Sequence, residues 1–142
     1  MMYTALTKKA MKIAFEIHKN QTDKSGMPYI YHPIHLAEQM KDEKNVCVAL
    51  LHDSVEDGDI TFEQLEKEGF SKDIIDALKL LTHDKSVPYL EYVKRIKTNT
   101  IATAVKLADL RHNSDLTRLD CVDEKALERI EKYKKAIELL LS

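Results

Sequence analysis

The chain has 142 residues, and its 22 Lys and Arg against 24 Asp and Glu give a formal net charge of −2. This length suits one domain with a sizeable core, and 44% hydrophobic with 32% charged residues is typical of a globular protein rather than a disordered one. The near-neutral charge argues against a nucleic-acid partner bound by a broad basic face. Because there are only 3 Gly and 3 Pro to make turns, a many-stranded sandwich or barrel is disfavoured and an all-α protein is expected.

Membrane, secreted and cysteine-dependent proteins are also disfavoured by the sequence. No apolar run approaches the roughly 20 residues that a membrane span needs, and the segment from Met1 to His18 has no signal-peptide core. We therefore expect a cytoplasmic protein with no membrane partner. Cys47 and Cys121 lie far apart without a CxxC neighbour, so free thiols are expected rather than a zinc site.

Apolar residues recur at three- and four-residue steps along most of the chain, which indicates a series of helices. The first is expected over about Tyr3 to Lys19, and a loop containing Gly and Pro follows from Asn20 to Tyr31. Thr61 with Gln64 is typical of a capping box, and Gly58 is expected to end the third helix. Further helices are expected from Pro33 to Met40, Glu43 to Asp57, Thr61 to Glu68, Ser71 to Leu81, Tyr89 to Ile96, Ile101 to His112 and Glu124 to Leu141.

Polar side chains gather at the end of the most apolar of these helices. Residues Val46 to Leu51 form an almost uninterrupted apolar run, which predicts a buried helix, and His52-Asp53-Ser54-Val55-Glu56-Asp57 follows at once. Burying a histidine and three carboxylates there would be costly without a counter-charge. A divalent cation supplies that charge, and imidazole with carboxylate suits manganese, iron, cobalt or zinc. Asp109 and Asn113 repeat the four-residue spacing on a second apolar helix, and His32 lies at the start of an earlier one.

The chain has an early histidine, then a His-Asp pair on a helix, then a distant aspartate. This order resembles that of the HD superfamily of metal-dependent phosphohydrolases. The similarity is closer still to the hydrolase half of the Rel/SpoT-type alarmone enzymes, and it lies in three blocks: Gly26 to Pro33, His52 to Asp57 and Lys106 to Asn113. The resemblance implies an all-α HD-domain helical bundle around a single buried divalent metal. We expect one such domain over residues 1–142, with no counterpart of the family's synthetase half.

The resemblance also implies roles for individual residues. One divalent metal, usually manganese, would be held by four ligands: His32, His52, Asp53 and Asp109. Glu56 and Asp57 match the acidic pair that handles the attacking water. The substrate-contacting positions match Lys24, Tyr29 and Asn113. Lys106 and Arg111 are candidates either for binding phosphate or for supporting the helix that carries the metal ligand.

Asp23 departs from the family pattern, which commonly has an arginine immediately before the position of Lys24, packed on the guanine base. A carboxylate cannot provide the stacking of a guanidinium. Weak guanine recognition is therefore expected, and Asp23→Arg is expected to improve it.

The expected function is hydrolysis of guanosine tetra- or pentaphosphate at its 3′-diphosphate with release of pyrophosphate, so the expected partner is a small phosphorylated nucleotide. One alternative is a phosphohydrolase that acts on another nucleotide, for which Asp23 is the main argument. The other is a non-catalytic nucleotide-binding regulatory module. Glu56 and Asp57 argue against that module, since a protein that only binds has little need for two acids beside a metal.

The remaining histidines are expected to lie outside the ligand set. His83 with Asp84 is expected to be an exposed loop pair, His35 a polar neighbour of the site, and His18 an exposed residue at a helix end. For His112, a place beside the metal ligands and a satisfied core histidine are equally compatible with the sequence.

Overall fold

The structure is a computed structural model that describes residues 1–142. It is built of helices without β-strands, which confirms the all-α prediction. The helices are α1 (Ala5–His18), α2 (Tyr31–Glu38), α3 (Glu43–Leu51), α4 (Ser54–Asp57), α5 (Phe62–Lys67), α6 (Lys72–Leu81), α7 (Tyr89–Lys97), α8 (Thr100–Asn113) and α9 (Glu124–Leu141), with a 3₁₀ turn at Leu116–Arg118. None of them combines the length and the apolar character that a bilayer-spanning segment requires.

Several helix starts follow local signals in the sequence. The capping box expected at Thr61 and Gln64 is present at the start of α5, and a second one joins Thr4 and Thr7 at the start of α1. Ser71, the expected start of this helix, occupies the N-cap of α6, although its side chain makes no capping hydrogen bond. The side chains of Thr4 and Thr61 satisfy backbone N–H groups that the first helical turn leaves without partners.

The third helix expected from the sequence is wrong in one respect, because the structure divides it into α3 and α4. His52 Nδ1 donates a hydrogen bond to the carbonyl oxygen of Ala49 at 2.7 Å, and such a side-chain donor competes with the helical backbone. Asp53 then adopts φ −104° and ψ 2°, outside the helical region, before α4 begins. Glu56 and Asp57 are exposed beyond this break, so the prediction that three carboxylates are buried here is also wrong.

Helix α3 is the centre of the bundle. All residues from Val46 to Leu51 are buried, and α3 packs against α1, α2, α6 and α8. Helix α9 packs against α7 and α8 on the other side. Because α2 and α8 both contact α3, the start of α2, the end of α3 and the second half of α8 meet, and each contributes a polar residue to the interior.

Candidate metal and catalytic site

Three helices bring a histidine-carboxylate cluster together in the interior of the bundle. His32 of α2, His52 after α3 and Asp109 of α8 are all buried, and one nitrogen or oxygen atom of each lies within 4.8 Å of the others. His32 Nε2 lies 2.8 Å from Asp109 Oδ1, and His52 Nε2 lies 3.6 Å from the same oxygen. The structure therefore brings together three of the four residues expected to bind a metal.

Asp53, the fourth expected ligand, borders this cluster. Its Oδ2 lies 3.0 Å from His52 Nε2, and its side chain is 22% exposed. The hydroxyl group of Tyr29 donates a hydrogen bond to the same Oδ2. Asp53 thus faces the cluster from its solvent side, where Tyr29 fixes the orientation of the carboxylate.

The hydrogen bonds of the two histidines suit a metal ion. His52 Nδ1 donates to the Ala49 carbonyl oxygen, so a neutral His52 offers its buried Nε2 to a metal as a lone pair. His32 Nδ1 lies 2.7 Å from His112 Nδ1, so a neutral His112 can accept its hydrogen and leave His32 Nε2 as a second lone pair. Both Nε2 atoms face carboxylate oxygens. A cation bound between these nitrogen and oxygen atoms would be coordinated by all of them.

The charges of the cluster compensate one another. Burial alone would raise the pKa of Asp109, but Lys106 Nζ at 3.0 Å and the two histidines hold it well below its ordinary value. Burial would likewise lower the pKa of His52, and the carboxylates of Asp53 and Asp109 outweigh that effect and raise it. Lys106 therefore supports the carboxylate expected to bind the metal, the second of the two roles considered for it, whereas Arg111 is exposed.

Glu56 and Asp57 lie on α4 at the solvent edge of the cluster. Glu56 Oε1 accepts the backbone N–H of His83 at 2.5 Å. Asp57 Oδ2 accepts a hydrogen bond from Gln21 Nε2 at 3.2 Å. Although Glu56 as a residue is exposed, partial burial of its carboxyl group raises its pKa; the His83 N–H opposes this effect, and the neighbouring carboxylates of Asp53 and Asp57 add to it. Each acid therefore has one oxygen held by the protein and one left for a proton or a water molecule.

Two of the remaining histidines lie elsewhere than expected. The exposed-pair prediction is wrong for His83, because its ring stacks on Tyr92 at 4.2 Å and its backbone holds Glu56. His18 is buried rather than exposed, and its ring packs against Tyr29 at 4.8 Å. The helical spacing held a signal for His18, since it lies four residues after the buried Ala14 on the same face.

His112 contacts the histidine-carboxylate cluster rather than the apolar core. Its Nδ1 bonds His32, and the ring of the exposed His35 stacks on the His112 ring with centroids 4.0 Å apart. Burial, together with the nearby charge of Arg118, lowers the pKa of His112 to about 4. His112 is therefore neutral near pH 7 and able to accept the hydrogen of His32.

A cavity of 320 Å³ opens beside the cluster, between the loop before α2 and the start of α9. The three residues expected to contact substrate, Lys24, Tyr29 and Asn113, all line it. Asn113 Nδ2 also donates to Asp109 Oδ1 at 3.0 Å, so Asn113 connects the histidine-carboxylate cluster to the cavity. A molecule in this cavity would therefore lie next to the histidine-carboxylate cluster.

Asp23 lines the same cavity but does not present an uncompensated charge to it. Its Oδ1 accepts the backbone N–H groups of Ser25 and Met27 at 2.9 and 3.0 Å. Its Oδ2 lies 3.8 Å from a guanidinium nitrogen of Arg118, which lines the cavity as well. A guanidinium is thus present after all, contributed by a residue that the sequence analysis missed. Asp23→Arg would break both loop bonds and place two guanidinium groups together, so the structure argues against the expected improvement in binding.

Comparisons with known proteins agree on the kind of molecule, although no family model matches the chain. The guanosine-3′,5′-bis(diphosphate) 3′-pyrophosphohydrolase MESH1 of Danio rerio is 36% identical over 145 residues, which cover 92% of this chain and 79% of the relative. The guanosine-3′,5′-bis(diphosphate) 3′-pyrophosphohydrolase of Aquifex aeolicus is 34% identical over 139 residues, 89% of this chain and 19% of its own length. A solved structure of a metazoan ortholog of SpoT that hydrolyses ppGpp matches with a TM-score of 0.77 at 27% identity, covering 99% of this chain and 88% of that one.

Similarity of fold over nearly the whole chain makes this protein an HD-fold hydrolase. The sequence comparison then gives the family. The chain is 36% identical to the MESH1 enzymes of Danio rerio and Xenopus tropicalis, over 79% of the length of each. It therefore belongs to the guanosine-3′,5′-bis(diphosphate) 3′-pyrophosphohydrolases. The resemblance drawn from the three sequence blocks is thereby confirmed.

Proposed function

We propose that this protein hydrolyses the 3′-diphosphate of guanosine tetra- or pentaphosphate and releases pyrophosphate. The observation that carries the proposal is the buried His32, His52 and Asp109 cluster, with two acids at its edge, in a chain 36% identical to MESH1 enzymes. Water would attack the phosphorus atom attached to the 3′-oxygen, and the bond between that phosphorus and that oxygen would break.

His32, His52, Asp53 and Asp109 would hold one divalent metal, since two imidazoles with two carboxylates suit manganese, iron, cobalt or zinc. Manganese is the ion that the family resemblance implies. When bound, such an ion polarises a phosphoryl oxygen and lowers the pKa of water near it. Lys106 and Tyr29 would keep the two carboxylates in place, since each hydrogen-bonds one of them.

Glu56 and Asp57 would move the protons of the reaction. Glu56 Oε1 is engaged by the His83 N–H and Asp57 Oδ2 by Gln21, so Glu56 Oε2 and Asp57 Oδ1 are the oxygens left to exchange protons. One acid would accept the proton of the attacking water, and a proton would be returned to the 3′-oxygen as it leaves. The pKa of Glu56, which burial raises, suits a group that takes up and gives back a proton.

The nucleoside would occupy the 320 Å³ cavity lined by Lys24, Tyr29 and Asn113. Lys24, together with Arg118 and Arg129 of the same lining, would compensate phosphate charge, and a guanidinium can also stack on a base. Because Asp23 neutralises part of Arg118, we expect weaker guanine discrimination than a free guanidinium would give.

The proposal is tested by incubating the manganese-loaded protein with guanosine tetraphosphate, its adenine analogue and ordinary nucleoside triphosphates, and by measuring pyrophosphate and phosphate separately. Pyrophosphate release from the guanosine compound is the expected result. Faster turnover of another nucleotide would favour the broader phosphohydrolase, for which Asp23 is the specific argument. Tight binding without turnover of any compound would indicate a regulatory module. The cytoplasmic location expected from the sequence stays a prediction.

A further inference from the structure

A chain of hydrogen bonds links the buried His18 to Asp57. His18, the last residue of α1, is 1% exposed, and its Nδ1 lies 2.8 Å from Gln21 Oε1. Gln21 Nε2 donates in turn to Asp57 Oδ2 at 3.2 Å. The backbone holds the middle member in place, because the Gln21 N–H donates to the His18 carbonyl and the Gln21 carbonyl accepts the Tyr29 N–H, both at 2.9 Å.

The carboxylate sets the direction of every hydrogen bond in this chain. An ionised carboxylate only accepts hydrogen bonds, so the amide nitrogen of Gln21 must face Asp57 and its oxygen must face His18. His18 must then carry its hydrogen on Nδ1. Its Nε2 is buried without a hydrogen-bond partner. One tautomer of a buried imidazole is therefore coupled to the orientation of an acid at the site.

The His18 ring also supports the other side of the site. It packs on the Tyr29 ring at 4.8 Å, and Tyr29 donates its hydroxyl hydrogen to Asp53. Burial fixes the position of the ring, whereas Asp57 lies exposed on the short helix α4 and has no other hydrogen-bond partner for its side chain. An exposed carboxylate would otherwise sample several rotamers.

We propose that His18 and Gln21 are positioning residues that hold the Asp57 carboxylate in its working orientation; this inference rests on the hydrolysis proposed above. His18 fixes the Gln21 amide, and the amide occupies Oδ2 so that Oδ1 faces the reacting water. Loss of orientation alone can slow an enzyme without weakening substrate binding.

The kinetic test begins with Gln21→Met, which keeps the length of the side chain but removes the donor to Asp57. We expect a kcat about tenfold lower, as for a lost hydrogen bond to a charged group, with KM and bound metal unchanged. Gln39→Met is the matched control, because Gln39 is exposed and its side chain bonds only the His35 carbonyl. A raised KM with unchanged kcat would overturn the proposal, since it would make Gln21, which lines the cavity, a substrate contact.

A double-mutant cycle tests whether His18 acts through Gln21. His18→Phe keeps an aromatic ring against Tyr29 and removes the Nδ1 donor. We expect it to lower kcat severalfold in the parent and to have no further effect in the Gln21→Met background, because coupled residues are not additive. Independent, multiplying losses would refute the coupling.

A measurement without substrate separates this inference from the proposed function. Ring nitrogen NMR at alkaline pH, with the His18 signals assigned by their loss in His18→Phe, is expected to show the hydrogen on Nδ1. Asp57→Asn should shift His18 towards the other tautomer, because an asparagine amide lets the Gln21 amide turn over. An unchanged His18 signal in Asp57→Asn would refute the chain. A parent that turns over no nucleotide would refute the hydrolysis instead, whatever the tautomer.

Discussion

Replacing Lys106 should lower the free energy of unfolding of the metal-free protein, because Lys106 supplies positive charge to the buried carboxylate of Asp109. Its Nζ lies 3.0 Å from Asp109 Oδ2, and its side chain is 13% exposed. Breaking a buried ion pair by removing one partner costs about 3–5 kcal/mol. For Lys106→Met we expect about 3 kcal/mol, the lower end of that range, because in the metal-free protein a hydrogen on His32 Nε2 can still be donated to Asp109 at 2.8 Å.

Urea unfolding of the metal-free and manganese-loaded proteins measures this effect. With a slope of about 2 kcal/mol per molar urea, the midpoint of Lys106→Met should fall by about 1.5 M without metal. The loss should be smaller with manganese, since the ion supplies positive charge to Asp109. Lys8→Met, which removes the same charge from an exposed position, should change the midpoint little. An equal loss with and without metal would refute the electrostatic reasoning and would assign the effect to packing on Tyr92, whose ring lies 5.3 Å from Lys106 Nζ.

Four further predictions follow from the site. His52→Ala should lose bound metal by elemental analysis, and retention of the parental content would show the ligand set to be wrong. Glu56→Gln and Asp57→Asn should keep the metal but lose turnover by ~10²–10⁴-fold, since both remove a proton-exchanging group; parental rates would move that role elsewhere. Asp23→Asn keeps the Oδ1 acceptor of the loop and frees Arg118, so KM for the guanosine compound should fall about two- to fivefold, as for an exposed charge pair; an unchanged KM would place the nucleotide away from Arg118. Burial would raise the pKa of Asp53, but His52 lowers it to about 2. The ion pair with His52 therefore stabilises the folded protein above the ordinary carboxyl pKa, and this stabilisation is lost as pH falls through the pKa that Asp53 has in the folded protein. The metal-free protein should have a lower urea midpoint at about pH 2.5 than at about pH 5. A midpoint that does not change between these pH values would contradict the prediction.

The sequence by itself determined the helical class and most helix boundaries, because the three- and four-residue apolar spacing and the side-chain caps are local properties. The residues alone also marked His32, His52 and Asp109 as polar groups on apolar helices that need a compensating charge. The family resemblance placed them in one ligand set, and the structure brings them together. The helix signals are readable in one dimension because each depends on residues a few positions apart, whereas the grouping of His32, His52 and Asp109 followed from the resemblance of the three sequence blocks.

The tertiary structure alone decided how the surroundings of the cluster are arranged. Packing of α1 against α3 and α4 buries His18 near Asp57, and a loop after α6 brings the His83 N–H to Glu56. Likewise, Asp23 and Arg118 meet only because the loop before α2 lies next to the turn after α8. These contacts join residues 27 to 95 positions apart in sequence, and no spacing rule along the chain encodes them, because they exist only once the apolar faces of the helices have packed.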